Sequence, residues 1–320
     1  MTALPPPLPL RAWLTGTWDE AERQAWQEAL SQACPQVSWL PAQPPPNEAE
    51  VAVVANPAPG SLQGVQGLRL IQSLWAGVDR LLDDPTLPEG VPVARMVDPV
   101  MTRAMVETAT WATLWLHRGF WRYARQQARQ RWEQLEQRRC EAFGVLVLGM
   151  GEMGGAVAQA LAAMGYPVCG WSSRAPTAQH PGVRRAWGRE SLTGALAHAQ
   201  AVLNLLPLTP ATRGLIDAGF LEAMPRGAGL VNLARGAHVV EADLLAALER
   251  GHLSHAVLDV FHAEPLPPGH PFWRHPGVTV LPHVAALSDR RSAAAVVADN
   301  LSRLARGEPV LHRVERRLGY

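Results

Sequence analysis

The chain has 320 residues, 48% hydrophobic and 18% charged, long and apolar enough to bury a large core spread over two domains. A net charge of +1 offers no electrostatic footprint for nucleic acid, and the most apolar helical stretch, Thr108 to Leu116, falls well short of the roughly 20 residues that span a bilayer. Cys34, Cys140 and Cys169 form neither a CxxC pair nor an even framework, and the proline-rich opening lacks the basic-then-apolar order of a signal peptide, so a cytoplasmic protein is expected.

Residues 1 to about 97 read as a smaller α/β unit. Arg11 to Leu14 suits a strand, Asp19 to Ala33 an amphipathic helix, and Val51 to Ala55 a buried strand behind a proline-rich loop at Pro41 to Pro46. Leu70 to Leu74 is a further strand, leading into Trp75-Ala76-Gly77-Val78-Asp79. A glycine just past a strand's carboxyl end, opening a helix, exposes backbone amides to a small anion; the same turn also fits a plain βα connection. Met101 to Arg125 carries apolar residues at helical spacing and predicts one long helix into a second unit. The polar stretch Arg122 to Arg139 follows, rich in arginine and glutamine and carrying Trp132. It suits a dimer contact, since Trp and Arg are frequent interface anchors, or else a solvated helix.

Phe143 to Leu148 is a short apolar run ending in Gly149-Met150-Gly151-Glu152-Met153-Gly154, after which an alanine-rich helical segment runs to Met164. Strand, glycine turn and helix N-terminus stand in the order a dinucleotide fold requires. Gly149 permits the tight turn, Gly151 lets bare backbone approach a pyrophosphate, and Gly154 lets the helix pack close to the strand. Gly165 stops the helix, and Tyr166 to Trp171 gives the next strand. An NAD site usually places a carboxylate at the end of that strand to accept from the ribose hydroxyls. Here the residues are Ser172, Ser173 and Arg174, two hydroxyls and a guanidinium suited to a dianionic phosphate, so NADP(H) is expected over NAD(H), with NAD(H) the alternative coenzyme.

Four apolar strands follow, at Ala201 to Leu206, Gly229 to Ala234, His255 to Phe261 and Val278 to Leu281, alternating with helical segments such as Glu241 to Glu249. Such alternation implies a parallel sheet. Arg235, Asp259, Glu264 and His283 all follow strand ends, which line one crevice in a sheet of this kind. They suit reduction of a 2-keto acid. Arginine's planar fork can hold carboxylate and carbonyl oxygens together and stays charged, histidine titrates near neutrality and can pass a proton, and a carboxylate beside the ring orients it. Arg235 is therefore assigned to substrate binding and polarisation, His283 to proton transfer, and Glu264 to tuning His283. His252, His255 and His262 cluster in sequence without an HExxH or Cys pairing, and no metal is expected.

These motifs resemble the D-isomer-specific 2-hydroxyacid dehydrogenase family, most nearly its glyoxylate/hydroxypyruvate reductase A branch. The likeness rests on Gly149-x-Gly151-x-x-Gly154, Asn232-Leu233-Ala234-Arg235-Gly236, Leu258-Asp259-Val260-Phe261-x-x-Glu264-Pro265-Leu266 and Pro282-His283-Val284-Ala285-Ala286, supported by Asn204 to Pro210 and the terminal Arg317-Leu318-Gly319-Tyr320. The resemblance implies an α/β protein of two Rossmann-like domains: a split substrate domain of residues 1–98 and 286–320, and a dinucleotide-binding domain of 99–285 with a parallel sheet and a dimerisation arm at about 111–142. It implies a homodimer and a small 2-keto or 2-hydroxy acid substrate, while the charge and the lack of a long apolar segment give the expectation of no nucleic-acid or membrane partner. Arg235, Glu264 and His283 match the catalytic trio, and Trp75, Ala76 and Gly77 match the carboxylate-binding loop. Gly149, Gly151, Glu152, Met153, Gly154, Ser172, Ser173, Arg174, Leu206, Pro207, Thr212, Leu233, Ala234 and Asp259 match the coenzyme contacts, Asp259 at the nicotinamide end. Two positions depart from the pattern: Trp75 stands where many relatives have glycine, and Ala175-Pro176 replaces a basic residue after Arg174.

Overall fold

The computed structural model describes residues 10–42, 47–175 and 178–320; residues 43–46 of the expected proline-rich loop, and Pro176, lie outside them. Contacts divide the chain into two compact units, Met1–Met101 with Ser288–Tyr320, and Thr102–Leu287. Each is built on a wholly parallel sheet.

The smaller unit has strands β1 (Arg11–Gly16), β2 (Ser38–Trp39), β3 (Val51–Ala55), β4 (Leu70–Ser73) and β5 (Val93–Ala94), in the spatial order β2-β1-β3-β4-β5. Helix Glu20–Ala33 is capped by Asp19, whose side chain accepts from the Glu22 amide, and it buries Trp26 and Leu30. The C-terminal segment returns to complete this unit. Its helix Arg290–Ala305 packs against Glu20–Ala33, and buried Asn300 donates to Gln72 Oε1 at 2.7 Å and accepts from the Leu311 amide at 2.7 Å. Gln72 is fully buried on the interior strand β4, so without Asn300 its amide oxygen would be buried without this donor. Ser292 at the start of the returning helix donates to the buried Asp98 carboxylate at 2.5 Å.

The larger unit has strands β6 (Val145–Leu148), β7 (Val168–Ser172), β8 (Val183–Trp187), β9 (Ala201–Asn204), β10 (Ala228–Asn232), β11 (Leu253–Leu258) and β12 (Val278–Val280), in the order β12-β11-β10-β9-β6-β7-β8. Both faces are covered, so the central strands read as unbroken apolar runs instead of alternating. Leu146, Leu148, Val202 and Leu230 face one core, while Val145, Val147, Leu203 and Val231 face the other. The strand order reverses between β6 and β9, which puts the glycine turn after β6 beside the carboxyl end of β9.

The single helix expected over 101–125 is instead two, Pro99–His117 and Phe120–Ala128, because Gly119 takes a left-handed backbone (φ 65°) that ends the first and caps the second. The arm after Ala128 has no regular structure from 131 to 139, and Trp132 is 95% exposed. The second strand of the larger unit begins at Val168, later than Tyr166, since Pro167 lacks an amide for the ladder. Strand β8 goes unannounced because Arg184 and Arg185 interrupt its apolar pattern. Among the described residues no helix is long and apolar enough to cross a membrane.

Candidate active site

The turn after β6 has the shape its glycines foretell. Gly149 adopts φ 92°, and a Cβ there would lie 2.6 Å from the Leu205 carbonyl oxygen. A Cβ on Gly154 would stand 1.7 Å from the Gly149 oxygen, so this residue sets how closely helix Glu152–Ala163 approaches β6. Gly151, the helix N-cap, has nothing within 4 Å of its virtual Cβ. The twelve-residue helix thus presents its first amides and the positive end of its dipole to open space, which fits a pyrophosphate. Glu152 is exposed and Met153 half-buried at the same turn.

At the end of β7, Ser172 Oγ donates to the Arg174 carbonyl at 2.6 Å, and Ser173 and Arg174 are exposed. Beyond β9, Leu206 is buried, and Thr212 Oγ1 donates to the Pro207 carbonyl at 2.8 Å, folding the loop back on itself. Leu233 and Ala234 are buried where the chain leaves β10. In the smaller unit, the Ser73 hydroxyl holds both the amide and the carbonyl of Trp75 at 3.0 Å, and the Trp75 ring stands edge-on to Trp26 at 6.0 Å. Ala76 and Gly77 follow as half-buried backbone.

The polar residues after β10, β11 and β12 meet at the carboxyl edge of the larger sheet. His283 Nδ1 lies 2.7 Å from Glu264 Oε2, and the other Glu264 oxygen accepts from the Phe261 amide at 2.9 Å. Burial alone would push the Glu264 carboxyl up. The His283 hydrogen bond, the Phe261 amide and the charges of His283 and Arg235 overcome it and leave the group below its ordinary value. Arg235 is therefore within electrostatic reach of the pair. Its loop is pressed against the segment after β11, since a Cβ on Gly236 would fall 1.9 Å from the Phe261 carbonyl carbon.

His283 has a left-handed backbone (φ 54°), which is costly for a residue with a Cβ and persists only where neighbours over-determine it. Asp259 does so: its carbonyl accepts from the His283 amide at 2.9 Å, and its buried carboxylate accepts from the amides of Val284 at 2.7 Å and Ala285 at 3.0 Å. The structure thus gives Asp259 a task the sequence did not suggest, holding the His283 loop in shape.

Asn204 and Asn232 also go unforeseen. They end β9 and β10 at the same register, both fully buried, with Asn204 Nδ2 donating to Asn232 Oδ1 at 3.0 Å. Asn232 Nδ2 then donates to the Arg235 carbonyl at 2.9 Å, and Asn204 Oδ1 accepts from the Leu206 amide at 3.2 Å. One amide pair fixes both the loop before Pro207 and the loop that carries Arg235. The available signal was an asparagine closing each of two consecutive apolar strands. The histidines His252, His255 and His262 hydrogen-bond separately, to Leu221 O, Thr279 Oγ1 and Val239 O. A cavity of about 500 Å³ in the larger unit opens at the amino ends of β6 and β7, the opposite edge of the sheet, and takes no part in this arrangement.

Residues 110–285 match the family described as D-isomer specific 2-hydroxyacid dehydrogenase, NAD binding domain. The chain is similar over 98% of its length to all of a D-isomer specific 2-hydroxyacid dehydrogenase from Xanthobacter autotrophicus Py2, solved with NADPH and MES, at 39% identity and a TM-score of 0.91. It is 33% identical, over 97% of its length and all of the other chain, to the NADPH-dependent glyoxylate/hydroxypyruvate reductase of Sinorhizobium meliloti, solved with NADP and sulfate, at a TM-score of 0.89. A probable 2-hydroxyacid dehydrogenase from Rhizobium etli CFN 42, solved with NADP, HEPES and L(+)-tartaric acid, is 29% identical over 97% of this chain and all of its own, at a TM-score of 0.89. With the dinucleotide turn and the Arg, Glu and His of one sheet edge already in place, the conclusion is direct: the chain belongs to the D-isomer specific 2-hydroxyacid dehydrogenase family and is an NAD(P)-dependent oxidoreductase.

Proposed function

We propose that the protein uses NADPH to reduce small 2-keto acids, glyoxylate and hydroxypyruvate first, to the corresponding 2-hydroxy acids. The observation that carries this reading is the 2.7 Å His283–Glu264 contact at a strand-end edge shared with Arg235. When bound, the nicotinamide supplies the hydride. Glu264 accepts from Nδ1–H, fixes that tautomer, and leaves Nε2 of the half-exposed ring to deliver a proton to the oxygen that becomes the hydroxyl. The Arg235 guanidinium binds the carboxylate and polarises the carbonyl, and remains charged throughout.

NADP(H) as the coenzyme is supported by the NADPH and NADP bound in three similar structures and by the exposed Ser173-Arg174 after β7, where no carboxylate stands. Pairing through the larger unit in a homodimer is supported by the exposed arm with Trp132. A second reading, a dehydrogenase for a bulkier keto acid, is favoured by one feature: Trp75 puts a large ring beside the carboxylate turn, held there by Trp26.

Steady-state turnover of a panel of 2-keto acids with NADPH and with NADH tests these assignments. Glyoxylate and hydroxypyruvate should lead with NADPH; preference for an aromatic keto acid would favour the second reading, and equal use of NADH would refute the Arg174 assignment. Replacing Arg174 by Ala should raise the KM for NADPH about tenfold and leave that for NADH unchanged, as loss of one charge-assisted contact predicts.

A further inference from the structure

We propose that His238 is a positioning residue that couples the backbone of Arg235 to the coenzyme loop at Pro207, a role that rests on the reductase reading above. His238 is fully buried and closes the short 3-10 turn Gly236–His238 that follows Arg235. Its Nδ1 lies 3.1 Å from the Arg235 carbonyl oxygen and its Nε2 lies 3.3 Å from the Pro207 carbonyl oxygen. Both partners are acceptors, so the ring can only donate: one bond in either neutral tautomer, two when protonated.

The imidazole therefore spans two loops that leave neighbouring strands β9 and β10, one carrying the proposed substrate guanidinium and the other proposed to meet the coenzyme. Each carbonyl has further donors, Asn232 Nδ2 at 2.9 Å on Arg235 and Thr212 Oγ1 at 2.8 Å on Pro207, so the ring adjusts an arrangement that is already anchored. Its own backbone is tied down as well, by the Ile216 amide donating to the His238 carbonyl at 2.9 Å. A flat ring fixed at its root and donating at its tip holds the two loops at a set separation. An aliphatic side chain could fill the same space but would leave the Pro207 carbonyl without the ring's N–H.

The two ring nitrogens can be tested separately, because an asparagine amide nitrogen reaches about where Nδ1 stands and a glutamine amide nitrogen about where Nε2 stands. His238→Asn keeps the Arg235 link and should weaken NADPH binding, read by nucleotide fluorescence, about two- to tenfold, the range of one lost hydrogen bond. Its kcat/KM for glyoxylate at saturating NADPH should stay within about twofold of wild type. His238→Gln keeps the Pro207 donor and should leave NADPH binding within about twofold of wild type, while His238→Leu should lose as much binding as the asparagine variant. Thermal melting identifies which variants fold, and if the leucine variant does not, the polar pair decides. Equal changes in both parameters for Asn and Gln, or no change in either, would reduce His238 to packing and overturn the proposal. If the wild-type protein turns over no 2-keto acid, the reductase reading fails by itself, while the NADPH titrations of the Asn and Gln variants still decide the Pro207 half.

Discussion

Two histidines on neighbouring parts of the larger sheet have opposite surroundings. His283 stands just past β12, half-exposed, on a left-handed backbone, with a carboxylate on one ring nitrogen. His255 lies inside β11, only 2% exposed, with the hydroxyl of Thr279 at 2.8 Å and the ring of Trp121 stacked on it at 4.7 Å. Trp115 donates to the same Thr279, and the Arg122 guanidinium lies over Trp121, so this cluster pins the helical arm to the sheet. Burial, with the charges of Arg125 and His275, pushes the His255 ring down to about 3, neutral at any working pH. The same side chain is thus proposed for chemistry at a strand's end and serves packing in its middle. What separates them is access to a partner charge and to solvent, and both follow from position along the strand.

The largest expected effect breaks the reactive half of this contrast. His283→Ala should lower kcat by about 10²- to 10⁴-fold while NADPH binding, followed by fluorescence titration, persists. Arg235→Ala should lower kcat/KM for glyoxylate by about 10²- to 10³-fold, again with coenzyme binding retained. Glu264→Gln removes a charged partner from His283 and should cost about 10- to 100-fold in kcat/KM. Because the Glu264 carboxyl is held below its ordinary value, the pairing is fully present above the ordinary carboxylate range and is lost only as pH falls through the lowered value. A wild-type rate profile that lost this pairing at neutral pH would contradict the assignment.

The smallest effect lies on the packing side. His255 is neutral in the fold down to about pH 3, whereas a free imidazole titrates near 6.5, so between those values the unfolded chain binds the extra proton. Stability should therefore fall as pH drops through that window, by up to about 1.4 kcal/mol per unit from this one group. Urea denaturation between pH 7 and 5 should show a shallower slope for His255→Gln than for wild type, with kcat for glyoxylate unchanged. Equal slopes would mean that the ring is solvated.

Much of this was readable from the chain because the physics is local. Gly149, Gly151 and Gly154 lie within six residues, and His283 follows an apolar strand and a proline that announces its end. The placement of Arg235, Glu264 and His283 at one sheet edge required only the rule that the strand ends of a parallel sheet converge. Features that depend on register stayed hidden: nothing in the sequence says that Asn204 and Asn232 fall side by side, or that His238 points back at Pro207. Gly119 was visible but misread, since an isolated glycine in an apolar helical pattern is often tolerated, and here the chain used its left-handed conformation to turn. Asp259 was read as a coenzyme contact by resemblance, and its grip on the amides of Val284 and Ala285 appears only in three dimensions.

The bond between Gln72 and Asn300 has a consequence for how the molecule is made. The first sheet cannot seat its last helix until the ribosome has passed residue 300, by which time every strand of the other unit has been synthesised. The unit that begins first is therefore finished last, and a nascent chain arrested near residue 287 should offer proteases an open amino-terminal half.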